Sequence, residues 1–264
     1  MGLAKEARDL ERENKYDDAF ELAEEARKLE KNGKYDEAIE LILNYLDQNP
    51  QYKTIDYYHF ANPIEEILFN VYIEDIDSVK TLNLEECLEL IYFTLARAYG
   101  KKGDKEKEEK YLKIANKINP VSAIILLRLC KYCQSINENE KIKELAPDIM
   151  KYSYNSKILI ESYLTLAFSY LDDKQEKELY NHLMQFYLTV ETGTDFWDSI
   201  KEDIKYLEEH EIQVGFNPEM FSILKYLIAL HTKQGREDTA KYFKDILYLM
   251  EEFTKSLNEL RYDS

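Results

Sequence analysis

Apolar residues recur at three- and four-residue spacing along most of the chain, the period of helices that bury one face. The clearest stretch is 84–120. Leu88, Tyr92, Leu95, Ala96 and Tyr99 share one face of a first helix. Gly103 interrupts the pattern, as a residue that tolerates positive φ does at a helix C-terminus. Leu112, Ala115 and Ile118 continue the stripe on a second helix, and Pro120 ends the unit. The pattern predicts a helical hairpin.

The same grammar extends in both directions. Residues 2–13 predict a short charged helix with Leu3, Ala7 and Leu10 as its stripe. Two near-copies follow, Asn14-Lys-Tyr-Asp-Asp-Ala19 and Gly33-Lys-Tyr-Asp-Glu-Ala38, nineteen residues apart. That offset is one helix and a turn, so the helix around 16–32 serves two successive hairpins. Residues 53–88 fit the pattern poorly and read as an irregular unit. Within it, Asn62-Pro63 followed by Glu65 and Glu66 is a helix start: a cap, a proline in the first turn, and acids at the positive end of the dipole. Leu126, Leu129, Cys130 and Cys133 lie 34 residues after Tyr92, Leu95, Ala96 and Tyr99, and Asn137 lies 34 after Gly103. A further unit at 157–191 supplies Tyr163, Leu166, Ala167, Tyr170, Leu183 and Phe186. A helix over 195–210, a loop over 211–217, a helix start at Pro218 and a turn at Gly235 lead into a long final helix with a polar outer face. In all, the pattern predicts about fourteen helices.

These residues resemble the tetratricopeptide repeat. Tyr92, Leu95, Ala96, Tyr99, Leu112 and Pro120 meet the family's W-x2-L-G-x2-Y, A-x3-F and P positions, while Glu108 stands where the family prefers Ala. The match is closest at 19–52, 89–120 and 221–254. It implies an all-α fold, a right-handed α-α superhelix of helical hairpins. The expected organisation is one solenoid over 1–264: hairpins at 1–52, the irregular unit at 53–88, central repeats at 89–191, a connecting helix and loop at 192–220, and a last hairpin with a capping helix at 221–264.

Charge and composition narrow the function. With 35 basic against 52 acidic residues the chain carries −17, which opposes nucleic acid and anionic membrane surfaces, and no basic run offsets it. No stretch is long and apolar enough to span a membrane, and the N-terminus lacks a signal core. Three cysteines, an odd number, suit a reducing compartment. The expected location is cytoplasmic.

Candidate chemistry is sparse. Cys130-x2-Cys133 has no second ligand pair for zinc and falls on core positions of the repeat, so it reads as packing. His59, His182, His210 and His231 are scattered, and no phosphate loop, nucleophile elbow or zinc-protease motif occurs. No cofactor, metal or catalytic residue is expected.

In proteins of the resembled family, first helices line a concave ligand groove. One helical step from the core face selects Arg27, Phe93, Arg97, Leu127, Lys131, Leu164 and Phe168, together with Leu90 and Ile124. Arg27, Arg97 and Lys131 hold equivalent places, a basic stripe beside apolar side chains. Such a face suits a peptide with an apolar anchor and a carboxylate, since guanidinium groups bind carboxylates in pairs of hydrogen bonds. The competing reading is internal charge balance for the surplus acids. The chaperone-tail clamp, a Lys four residues before an Asn, is not reproduced: Ala23 and Arg27, then Phe93 and Arg97, hold those places. The expected function is a non-catalytic adaptor for a protein or peptide segment. The alternatives are homo-oligomeric assembly, as a homodimer burying Tyr57, Tyr58, Phe60, Phe69 and Tyr72 of the irregular unit, a stand-alone peptide sensor, or an enzyme without a recognisable motif.

Overall fold

The computed structural model describes residues 19–53, 57–82, 87–192 and 197–262. The helix expected over 2–13 lies outside these residues. The described residues are all-helical, with one isolated bridge, Tyr58 to Thr81, in place of any strand. The helices are α1 (19–31), α2 (Tyr35–Gln48), α3 (Pro63–Tyr72), α4 (Leu88–Lys101), α5 (Lys105–Ile118), α6 (Ala123–Ser135), α7 (Asn139–Tyr152), α8 (Ser156–Ser169), α9 (Lys177–Thr192), α10 (Trp197–Glu209), α11 (Pro218–Lys233) and α12 (Glu237–Tyr262). They pack chiefly on their neighbours in sequence, as in an α-solenoid, and divide into two compact units at Pro120/Val121.

One turn recurs at four hairpins. Gly33, Gly103, Asn137 and Gly235 all adopt positive φ. The next N–H reaches back to a carbonyl in the last turn of the preceding helix: Lys34 to Leu29, Asp104 to Tyr99, Glu138 to Cys133 and Arg236 to His231, all at 2.9–3.0 Å. This is the six-to-one bond that closes a helix on a left-handed residue, and the next helix follows at once. Asn137 takes the glycine position because its short polar side chain tolerates that conformation.

In the first unit, the α4–α5 hairpin packs against α2. Tyr92, Leu95, Ala96, Leu112, Ala115 and Ile118 are buried, as their spacing predicts. Glu108 is buried too, where a small residue is usual; Lys105 of the same turn answers its charge at 3.0 Å. The described residues of the irregular unit bond to the end of this hairpin. Asn62 caps α3 by accepting from the N–H groups of Ile64 and Glu65 at 2.9 and 3.3 Å. The buried Glu65 carboxylate then accepts from the Ala61 N–H at 2.9 Å and the Asn119 side chain at 2.8 Å. The His59 backbone N–H donates to the Ile118 carbonyl at 3.1 Å, and the Tyr92 hydroxyl donates to the Tyr52 carbonyl at 2.9 Å.

This folding overturns one expectation. Phe60 and Phe69 are buried against each other with ring centres 5.1 Å apart, and Tyr58 leans on Phe69 at 4.6 Å. Tyr57, Tyr58 and Tyr72 are half-buried. Phe60 and Phe69, with Tyr58 against them, are an internal cluster and not part of an exposed strip.

In the second unit, α6 and α7 form a hairpin, α8 packs on both, and α9 packs on α8. Tyr163 is fully buried and meets Phe186 edge-on at 4.9 Å. Lys143 joins α7 to the α8–α9 turn through Asp173 and Glu176, pairs with Glu140 of its own helix, all at 3.1–3.2 Å, and lies 4.5 Å over the Tyr170 ring. Burial works against its charge, but those three acids hold its pKa well above the ordinary lysine range. The last hairpin, α11–α12, contacts α8 and α10 through α12. Asn217 caps α11 by accepting from the Glu219 N–H at 3.1 Å, at the helix start expected at Pro218.

Buried acids in this fold make stability fall at high pH. Burial, then the neighbouring Cys133, pushes the Cys130 thiol from 9.0 up to about 12. Burial, then Tyr111, pushes Tyr92 from 10.0 up to about 12. Both groups stay protonated in the native state while the unfolded chain ionises. Their contribution is therefore intact below pH 9 and is lost as pH rises through about 12. Urea unfolding is expected to show a loss of about 2 kcal/mol between roughly pH 8 and 10.5. The Cys130→Ala variant should show a visibly shallower loss; an unchanged slope would refute the assignment.

Candidate functional site

The first-helix faces are where the expected binding residues fall, and each unit presents its own. In the first unit, α1 and α4 meet through Arg97, whose guanidinium reaches the buried Glu30 carboxylate at 2.9 Å and lies 5.7 Å from the Phe93 ring centre. Phe93 is buried beneath it. Arg27 pairs with Glu24, one turn earlier on α1, at 3.3 Å. All three residues thus have contacts within the unit.

The second unit is more open. The hairpin α6–α7 and the return of α8 make α6 and α8 neighbours running the same way. Ile124, Leu127 and Lys131 form a row on α6; Glu161, Leu164 and Phe168 form a second row on α8, both at helical i, i+3, i+7 spacing. Lys131 and Glu161 join the rows as an ion pair. Leu127 is buried, Leu164 and Phe168 are half-buried, and Ile124 is 49% exposed. The outcome is an apolar ledge with one ion pair across it.

The cations of the expected stripe thus all have acidic partners. Sequence position predicted the cations but not Glu30 and Glu161, which come from the neighbouring first helix, 67 and 30 residues away. The Lys131–Glu161 pair is partly exposed and carries modest energy, so a ligand carboxylate can compete for Lys131, whereas Arg97 holds a buried carboxylate whose unpairing is costly.

Cys130 and Cys133 are both buried, neither in a disulfide, in the core positions expected of them. A polar cluster absent from the sequence reading lies between α9 and α10. His182 Nδ1 meets the Asp203 carboxylate at 2.5 Å, and the Tyr206 ring is stacked between His182 and His210 at 3.9 and 4.1 Å. Burial raises the Asp203 pKa, opposed by the hydrogen bond to His182. The pair is a lock between two helices; the i, i+3 and i, i+4 spacing of Asp203, Tyr206 and His210 was the signal available for it. Among the described residues no group of three or more His, Cys, Asp or Glu could hold a metal ion, and no helix is long and apolar enough to cross a membrane.

No protein-family model, curated protein or solved structure matches the chain.

Proposed function

We propose that the chain is a non-catalytic interaction module of tetratricopeptide-like hairpins that binds a protein or peptide segment on its first-helix faces, in the cytoplasm. The observation that carries this reading is the α6–α8 ledge. Two parallel helices offer half-covered apolar side chains with an exchangeable ion pair between them, the combination that seats an apolar anchor beside a carboxylate. The recurring left-handed turn and the spacing of the buried residues support the repeat assignment. A second reading, self-association, has support at a different place from the one expected. Tyr226, Tyr242, Tyr248 and Leu249 are 50–64% exposed on the last hairpin.

The test is capture from the source cell's lysate with the wild type and with Ile124→Asp/Phe168→Ala, a pair of changes at residues outside the core. Helicity should be unchanged. A protein held by the wild type and at least tenfold depleted with the variant is the expected result, consistent with loss of about 1.4 kcal/mol or more. Equal capture by both removes the ledge as the binding surface. A dimer mass for the purified wild type at micromolar concentration would favour the second reading.

A further inference from the structure

The last helix, α12, packs on α8, α10 and α11 with one face and leaves the opposite face open. Ala240, Phe243, Met250 and Leu257 are buried on the inner face. On the outer side Tyr248 and Leu249 are 61% and 64% exposed, more than any other large apolar side chain among the described residues. Tyr242 lies on the row of Leu249, two turns earlier, and is exposed too. Charges bracket this apolar centre with opposite signs. Lys241 and Lys244 stand on its N-terminal side, Glu251 and Glu252 on its C-terminal side, and all four are exposed. Asp245 lowers the charge of the basic half without reversing its sign. Among the described residues none of the four has an ion-pair partner, whereas Lys255, one turn on, pairs with Glu259 at 3.8 Å.

The order basic, apolar, acidic along one helix face is self-complementary. A two-fold axis crossing the face lays a second α12 antiparallel to the first, so residues equally far on either side of the axis meet. Lys244 and Glu251 are centred on positions 247–248, and Lys241 and Glu252 on positions 246–247. One axis therefore serves both pairs, and symmetry makes each pair twice. The same axis keeps each flank of the face against its own counterpart. Lys244, Tyr248 and Glu251 share a flank at i, i+4, i+7 spacing, so Tyr248 falls beside its own copy. Ring contact and burial of Leu249 supply the apolar part, and the charge pairs fix the register.

We propose that the outer face of α12 is a homodimer interface. Two copies of the chain pair antiparallel through it, with Tyr248 at the two-fold axis, Lys244 on the partner's Glu251 and Lys241 on the partner's Glu252. This deepens the self-association reading and rests on it. An acidic partner segment answers Lys241 and Lys244 but is repelled by Glu251 and Glu252, and a basic segment meets the reverse. A second copy answers both ends at once. One helix face is a small interface, which puts the expected Kd on the order of 10–100 μM.

The test is sedimentation equilibrium of the full chain at about 5–500 μM. The wild type is expected to pass reversibly from monomer to dimer. Lys241→Glu/Lys244→Glu makes both ends of the face acidic, and Glu251→Lys/Glu252→Lys makes both ends basic. Each variant alone should dimerise about tenfold more weakly or worse. An equimolar mixture of the two should form a dimer at least as tight as the wild type's, because acidic ends then face basic ends. The exchanged residues are all exposed, and a dimer in the mixture also shows both variants to be folded. A wild type still monomeric at about 500 μM overturns the proposal and the self-association reading together. A wild-type dimer that neither variant weakens overturns the proposal alone and moves self-association to another face. A mixture that stays monomeric, with each variant as helical as the wild type by circular dichroism, also overturns it. A monomeric wild type that binds an end-blocked Glu-Tyr-Glu-Tyr peptide, with the binding lost in Lys241→Glu/Lys244→Glu, assigns the face to an acidic partner instead.

Discussion

Replacing Tyr163 by Ala is expected to lower stability by about 3–5 kcal/mol, the upper range for removing a large core side chain. Tyr163 is fully buried, packs edge-on against Phe186, and is the hydroxyl around which the 211–217 loop is built. The ring and the hydroxyl can be separated. Tyr163→Phe keeps the ring but leaves the buried Gly215 N–H without this acceptor and the Gln213 carbonyl without this donor, at a cost of about 1–3 kcal/mol. Urea unfolding measures both totals, and hydrogen exchange locates the second. Faster exchange of the Gly215 amide in Tyr163→Phe, with the α6 and α7 amides unchanged, is the expected pattern. A Phe variant as stable as wild type would mean the loop is held by other contacts.

The second large effect is expected at His59. Its Nε2 accepts from the Cys87 N–H at 3.2 Å, so the proton sits on Nδ1, facing the Glu89 carboxylate in a buried pair. His59 and Glu89 are 1% and 8% exposed. Cys87 begins α4 with φ 45°, a strained conformation for a residue with a side chain, and this bond helps hold it. His59→Leu fills a similar space but removes the group that the Glu89 carboxylate faces. The expected loss is about 3–5 kcal/mol, because a buried charge is left without that partner. His59→Leu/Glu89→Leu removes both polar groups and should recover at least half of the loss in thermal or urea unfolding. A double variant no more stable than the single one would show that the pair is not the source of the cost.

These two sites mark what sequence could and could not disclose. Local signals were legible because their physics is local. Gly103 and Asn137 announced left-handed turns, Asn62-Pro63 announced a capped helix start, Pro218 announced another helix start, and the spacing of Tyr92, Leu95, Ala96 and Tyr99 announced a buried face. The irregular unit was legible only as an exception. Its order comes from buried polar bonds across long sequence distances, Glu65 to Asn119 and Tyr92 to Tyr52 among them, which leave no periodic trace. The first-helix face was half legible. Lys131 and Phe168 could be placed by counting, whereas the acid that meets Lys131 depends on how α8 returns beside α6.

The central claim is that the α6–α8 ledge receives a partner segment, and site-directed photocrosslinking tests it most directly. A photoreactive residue would be placed at position 124 on the ledge or at position 144 on the exposed face of α7, with the partner recovered by capture added to each. The account predicts an adduct from position 124 and none from position 144. An adduct from position 144 alone would contradict it.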